Sequence, residues 1–249
     1  MHMTDNTIFI TGGTSGIGRA LAEAFHALGN KVIIAGRRKA LLDEVAAANP
    51  GIVGVELNID DAADIARVAA QLTADHPGLN VLINNAGIMP FDDAAGRIDL
   101  ATSEAILRTN LLGPIALTSA LIGHLRAQPR ATVIYNTSAL AFVPLASAAV
   151  YSASKAALHS YALSQRYALR DTKVTVQEIA PPWVATDLVP GKEDPRAMPL
   201  DAFIAATMQG LATEAPEVYV EALQGLRDNP GSKEHAFVHG FNALMSTAA

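Results

Sequence analysis

Cysteine is absent from this chain. That excludes disulfides, thiolate catalysis and cysteine-ligated zinc. Charge is scarce as well: Asp, Glu, Lys and Arg make up 17% of the 249 residues, where about a quarter is usual. The charge present sums to −6, which argues against nucleic acid or an anionic membrane surface as the main partner. No repeat or linker breaks the chain. Neither a charged-then-apolar leader nor an uninterrupted apolar span near about 18 residues is visible, so the expectation is a soluble, cytoplasmic protein. His235 and His239 stand four apart without an evident third ligand, so no metal site is expected.

Apolar residues are plentiful. Hydrophobic types make up 50% of the chain, as expected when a parallel sheet is covered on both faces and further helices are buried between subunits. Strand-like apolar runs at 7 to 10, 31 to 35, 52 to 57, 80 to 84, 131 to 137 and 173 to 179 alternate with segments of helical periodicity. This rhythm predicts one α/β domain spanning 1 to 249, a doubly wound parallel sheet with helices on both faces. Right-handed crossovers put the carboxyl ends of the strands along one edge. Gly12, Asn84, Ser138 and Pro181 all fall just past such ends, so one cleft should gather them. Gly113-Pro114 interrupts a long helical segment begun near Ala101, where proline removes a backbone donor and predicts a kink.

The first strand, Thr7 to Ile10, feeds Thr11-Gly12-Gly13-Thr14-Ser15-Gly16-Ile17-Gly18, after which Leu21, Ala24, Phe25 and Leu28 recur at helical spacing. Glycine lets the backbone turn tightly against a pyrophosphate, and the free N–H groups of the following helix attract that anion. The next strand ends in Gly36-Arg37-Arg38. An acidic residue there would hydrogen-bond the ribose 2′-hydroxyl of NAD, whereas guanidinium forks suit a 2′-phosphate. NADP(H) is therefore the expected cofactor, with Arg37 contributing more than Arg38.

Tyr151 and Lys155 stand four apart at the start of a predicted helix, which stacks phenol and ammonium on one face. A cation beside a phenol favours phenolate and brings a group of unperturbed pKa about 10 toward useful proton exchange. Taken alone, such a pair is more often a packed ring beside a solvated amine.

Further motifs lie along the chain: Asn84-Asn85-Ala86-Gly87 after an apolar strand, Asn110 within the long helical segment, and Ser138 ahead of Tyr151. With the glycine turn and the Tyr-Lys pair, in this order, they resemble the short-chain dehydrogenase/reductase family over roughly residues 7 to 190. The resemblance implies a Rossmann fold and a catalytic set of Asn110, Ser138, Tyr151 and Lys155. Tyr151 would give the proton to a substrate carbonyl oxygen that Ser138 hydrogen-bonds. Lys155 would bind the nicotinamide ribose and lower the Tyr151 pKa, while Asn110 helps hold a water linking Lys155 to solvent. Cofactor contacts would come from Gly12, Thr14, Ser15, Gly16, Ile17, Gly18, Asn84, Ala86, Gly87, Pro181, Val184 and Thr186, with Asn58 meeting the adenine amine. Family members commonly pair their long helices across a subunit interface, so a homodimer or homotetramer is implied.

The departures from the pattern are Pro182, where the family usually has glycine, and Tyr135, where asparagine is common. The end of the chain lacks the usual glycine-rich final strand; 217 to 220 can supply a short one, followed by a helix from about Glu234. Leu140, Phe142, Val143 and Trp183 are the expected substrate walls, suiting a hydrophobic ketone or aldehyde. Residues 187 to 202, with Pro190, Gly191, Pro195 and Pro199, read as a lid. The reading is an NADPH-dependent carbonyl reductase, reversible as an alcohol dehydrogenase. The alternatives are an NAD-dependent dehydrogenase of the same family and a non-catalytic NADP-sensing regulator.

Overall fold

The computed structural model describes residues 1–188, 191, 193–229 and 231–246. Seven parallel strands form one sheet in the order β3-β2-β1-β4-β5-β6-β7. They are β1 (Thr7–Thr11), β2 (Lys31–Gly36), β3 (Val53–Glu56), β4 (Leu79–Asn84), β5 (Ala131–Asn136), β6 (Val174–Ile179) and the two-residue β7 (Glu217–Val218). The six longer strands lie within two residues of the runs predicted for them, because uninterrupted apolar segments of this length suit a sheet buried on both faces.

Side-chain alternation along the strands sorts the core into two layers. Phe9, Ile33, Leu82, Val133 and Tyr135 face α3 (Ala62–Asp75), α5 (Gly113–Ala127) and α6 (Ala149–Ala168). Ile8, Ile10, Val32, Ile34, Ile83 and Ile134 face α1 (Gly16–Ala27), α2 (Lys39–Ala48) and α7 (Leu200–Leu211). Fully burying one such side chain is worth about 1.5 to 3 kcal/mol, so both layers hold the sheet edge that carries the site.

The strand order turns back between β1 and β4, which are hydrogen-bonded neighbours with crossovers leaving in opposite directions. At such a switch point the loops beyond the strand ends separate and leave a crevice. The glycine turn follows β1 there, and Asn84 to Gly87 follow β4.

The predicted kink takes a different form. α4 (Leu100–Leu107) runs into a π-helical turn, Arg108–Leu112, and then into α5, with Pro114 just after the widened π turn. The helix therefore continues from Leu100 to Ala127, long and apolar enough to cross a membrane by length and composition alone. This corrects the expectation that no such span exists. Leu117, Leu121 and Leu125 are fully buried against the sheet, which makes α5 a core helix of this domain. The chain closes with α8 (Gln224–Arg227) and α9 (Glu234–Ser246), the latter beginning where predicted.

Candidate active site

A cleft of about 1430 Å³ runs along the carboxyl edge of the sheet across the switch point. Its floor at one end is the glycine turn. Gly12 and Gly16 have φ of +68° and +53°, and a Cβ on Gly12 would meet Ala86 Cα at 2.9 Å. A Cβ on Gly18 would strike the Gly12 carbonyl oxygen at 2.3 Å, so glycine is needed for α1 to approach the turn. The first N–H groups of α1, which have no partner within the helix, emerge here. Thr14, Ser15, Gly16, Ile17 and Gly18 all line the cleft, as expected for a pyrophosphate seat.

Thr11 and Asn85 lock this floor. Thr11 Oγ1 accepts from the Asn85 and Ala86 N–H groups at 3.0 and 3.1 Å, while Asn85 Nδ2 donates to the Thr11 and Gly12 carbonyls. Asn136 Nδ2 in turn donates to Asn85 Oδ1 at 2.8 Å. The sequence reading assigned a cofactor contact to Asn84, and the structure corrects it. Strand alternation turns Asn84 to the other face, where Nδ2 donates to Thr118 Oγ1 at 2.9 Å. Asn85 and Asn136 take its place at the cleft, and Ala86 and Gly87 line it as expected.

At the adenosine end Arg37 and Arg38 both border the cleft. Arg38 is the better anchored, with Nη2 donating to Thr14 Oγ1 at 3.2 Å. Arg37 is exposed and stands 3.9 Å from the Asp60 carboxylate. Asn58 does not line the cleft, although Leu57 and Ile59 on either side of it do. Its Oδ1 accepts from the Asp60 N–H and its own N–H donates to Asp64, so it is tied into the turn that leads to α3. The direct adenine contact is corrected accordingly.

At the other end stand Ser138, Tyr151 and Lys155, all buried. Ser138 follows β5; its Oγ accepts from the Leu140 N–H at 3.1 Å, and its hydroxyl hydrogen-bonds Tyr151. Helical spacing sets Lys155 beside Tyr151, with Nζ 5.6 Å from the ring centroid and donating to the Asn136 carbonyl at 2.7 Å. Burial pushes the Tyr151 phenol up to about 12, which the Ser138 hydrogen bond offsets only in part, and pushes the Lys155 ammonium down to about 8. The Tyr151 pKa thus moves opposite to the expected lowering, because loss of water dominates and the Ser138 hydrogen bond alone acts against it. Asn110 sits in the π turn, fully buried; Oδ1 accepts from the Ile88 N–H and Nδ2 donates to the Ile88 carbonyl and to Ser154 Oγ. It braces the loop after Gly87 rather than lining the cleft.

Of the expected substrate walls, Leu140 and Trp183 line the cleft, whereas Phe142 and Val143 are packed with Ala180 in a separate core cluster. The short 3-10 turn at Ala139–Ala141 rotates these two away from the site; Phe142 lies edge-on to His159 and under Arg227. Pro181, Val184 and Thr186 border the cleft as expected, and Pro182 joins them. The expected lid spans 187 to 202, but its last residues already form α7, and Pro190 lies outside the described residues. The base of this loop is tied by a bridge between Val184 and Met198, and Arg196 stacks 5.2 Å from the Trp183 ring. Tyr135 avoids the site: its hydroxyl donates to Gln165 Oε1 at 2.8 Å on the α5–α6 side of the sheet.

Sequence reasoning missed the contribution of the C-terminal segment. Leu223, Leu226, Phe241, Asn242 and Met245 border the substrate end, with Phe241 and Met245 packed on Leu145, Ala148 and Tyr151. Apolar positions on α9 signal a buried face but not which surface receives it. Among the described residues His159, Glu178 and Glu217 form the one cluster spaced for a metal ion. Arg166 and Arg227 already pair with its two carboxylates, at 2.9 and 2.5 Å, and His159 bonds Glu178 at 2.7 Å. His235 and His239 form no such group among the described residues.

A parallel sheet with a phosphate-seating glycine turn at its switch point, and a tyrosine, serine and lysine at the far end of the same cleft, defines a dinucleotide-dependent oxidoreductase. The sequence profile of the short chain dehydrogenase family matches residues 6–197, and the chain belongs to that family. Like its family, it is an oxidoreductase acting on CH–OH and C=O groups through a nicotinamide cofactor. It is 39% identical over 234 residues to the uncharacterized oxidoreductase DltE of Bacillus subtilis (strain 168), covering 92% of this chain and 93% of that one. It is 32% identical over 178 residues to the NADP-dependent 3-hydroxy acid dehydrogenase YdfG of Salmonella typhi, covering 70% and 71% of the two chains. The crystal structure of a short chain dehydrogenase from Burkholderia cenocepacia J2315 in complex with NADP superposes with a TM-score of 0.85 at 26% identity, over 97% of this chain and 99% of that one.

Proposed function

We propose that the protein is an NADPH-dependent reductase of neutral, hydrophobic ketones or aldehydes, reversible as an alcohol dehydrogenase. The observation that carries this reading is the placement of Tyr151, Ser138 and Lys155 at one end of a cleft whose other end carries Arg37 and Arg38. The glycine turn fits a pyrophosphate, since a side chain on Gly12 or Gly18 would collide with Ala86 or the Gly12 carbonyl and push the turn and α1 apart, and the two guanidinium groups fit a 2′-phosphate. When bound, NADPH supplies the hydride, from nicotinamide C4.

The chain's own residues do the rest. Ser138 holds the substrate carbonyl oxygen beside the Tyr151 hydroxyl. With its pKa raised by burial, Tyr151 is protonated throughout the neutral range and donates that proton to the oxygen as negative charge develops. Lys155 holds the nicotinamide ribose and returns Tyr151 toward neutrality afterwards. Asn110 fixes the backbone at Ile88, and through it the loop along which the nicotinamide lies.

A neutral apolar substrate is favoured by Met89, Leu140, Leu145, Trp183, Phe241 and Met245 around Tyr151. Arg196 reaches the cleft, but it is committed to Asp194 through two bonds of 2.9 and 2.6 Å, so its charge is already matched. The reading therefore differs from the hydroxy acid named for the Salmonella relative. NADPH oxidation across aliphatic, aryl and steroidal ketones and 3-oxo acids, with NADH in parallel, tests it. Turnover with apolar ketones and NADPH supports the reading; exclusive turnover of 3-oxo acids or with NADH overturns it.

An assembly of two or four copies belongs to the same proposal. Leu107, Leu112, Leu163 and Tyr167 on the α4–α6 helices are 37 to 69% exposed, large apolar groups left in water by the isolated chain. Light scattering that returns a monomer mass would remove it.

A further inference from the structure

α6, the helix that carries Tyr151 and Lys155, has no side-chain cap of its own. Ala148 holds the N-cap position, and no Ser, Thr, Asp or Asn stands there to accept from the first N–H groups. The acceptor comes from elsewhere in the chain. Asp92, in the loop that follows Asn84 to Gly87, accepts from the Ala149 N–H through Oδ1 at 2.9 Å and from the Val150 N–H through Oδ2 at 2.8 Å. Its own N–H donates to the Ser147 carbonyl at 2.9 Å. Three bonds from one residue thus hold the turn immediately before Tyr151.

The geometry points to Asp92 as a positioning residue for Tyr151, its carboxylate fixing the first turn of α6 so that the phenol stays against Ser138. Tyr151 is the third residue of the helix, inside the turn that frays first when orphan N–H groups lose their acceptor. Lys155 stands one turn further in and is anchored separately on the Asn136 carbonyl. Loss of Asp92 should therefore displace the phenol and leave the ammonium in place. The four residues before Asp92, Ile88 to Phe91, line the cleft, and Asn110 grips Ile88. One short loop therefore spans the cofactor side and the acid side of the cleft, and Asp92 is where it joins the helix. The inference rests on the reading of Tyr151 as proton donor.

The test compares Asp92→Ala and Asp92→Asn with Asp61→Ala. Asp61 caps α3 through the Ala63 and Asp64 N–H groups and lies outside the cleft lining, so it supplies the same kind of cap without the site. Asp92→Ala should lower kcat by on the order of tenfold with NADPH affinity unchanged, while Asp61→Ala loses comparable thermal stability at unaltered kcat. Asp92→Asn keeps one accepting oxygen and should recover most of the lost kcat. Amide exchange at residues 149–151 should quicken in Asp92→Ala and stay slow in Asp61→Ala. Unchanged exchange, a kcat within about twofold of wild type, or an equal loss of NADPH affinity would each overturn the inference. Exchange needs no turnover, so it decides the role of Asp92 in the turn even where the proposed substrate class fails; that failure would show separately in the wild-type screen.

Discussion

The two ends of the cleft are built differently. At the nucleotide end the walls are strand ends and the turn directly after β1, tied by backbone and short side-chain bonds among Thr11, Gly12, Asn85 and Asn136. At the substrate end the walls come from Pro181 to Val184, from Thr186 to Leu188, and from Arg196, Leu223, Leu226 and α9, joined to the rest of the domain by side-chain packing and by ties such as Asn242, whose Nδ2 donates to the Pro144 carbonyl and whose Oδ1 accepts from the Ala146 N–H. The first end is specified by local geometry, which tolerates little variation. The second is specified by whatever loops pack there, and so it can change its ligand without disturbing the sheet.

The sharpest way to break this division is at the point where the ends meet. Tyr151→Phe removes the proton donor and keeps the ring, so turnover should fall by about 10² to 10⁴ while NADPH affinity, measured by fluorescence titration, holds. Near-normal turnover would remove Tyr151 from the chemistry. Lys155→Met should damage both ends, lowering turnover by about as much and weakening cofactor binding, because one ammonium serves acid and ribose. Unchanged cofactor affinity would contradict the ribose role.

pH separates the same two groups. Lys155 has a folded pKa near 8, below that of a free lysine, so carbonyl reduction should hold at and below neutrality and decline as pH rises through about 8. Alcohol oxidation needs the phenolate and should rise toward high pH, since burial holds Tyr151 near 12. For stability the signs are opposite. The unfolded chain binds more protons at Lys155 between about 8 and 10.5, so that group adds stability as pH rises across this window. Tyr151, raised from 10 to about 12, removes stability across its own higher window. Denaturant titrations of wild type and Lys155→Met between pH 7 and 10 read the first window; identical slopes would place Lys155 in water.

Smaller effects isolate each end. Arg38→Ala should weaken NADPH binding by about 1.5 to 3 kcal/mol with NADH nearly unaffected, the scale of hydrogen bonds to a charged partner. Arg37→Ala should cost less, reversing the sequence ranking, because Asp60 stands beside Arg37 and Thr14 steadies Arg38. Equal losses for both cofactors would mean that neither reads a 2′-phosphate. At the far end, Trp183→Ala or Phe241→Ala should move the kcat/KM ratio of a bulky aryl ketone over a small aliphatic one by roughly tenfold, with NADPH affinity kept. A fixed ratio with a falling Tm would make either ring a packing residue.

What was legible in the sequence follows this division closely. The glycine turn, Arg37-Arg38 and the pairing of Tyr151 with Lys155 depend on neighbours in the chain, and all of them border the cleft. Asn84 was misplaced because alternation at a strand end decides between two adjacent asparagines, a one-residue question that the motif leaves open. Phe142 and Val143 were misplaced because a single 3-10 turn redirects everything after Ser138. Asp92 gave no local signal, and α9 was legible as a helix but not as a wall of the cleft, since their partners lie 57 and 96 residues away.

By itself, then, the sequence determined the α/β rhythm, the glycine turn at the switch point and the side chains proposed to seat phosphate and to react, because period, glycine placement and helical spacing act over a few residues. Only the tertiary structure decided which asparagine faces the cleft, which arginine is held ready, what closes the substrate end and what holds the first turn of α6. Those outcomes depend on burial and on contacts between distant segments. Burial also decided the protonation of the site: removal from water sets the Tyr151 phenol near 12 and the Lys155 ammonium near 8, against the direction that their spacing alone suggested.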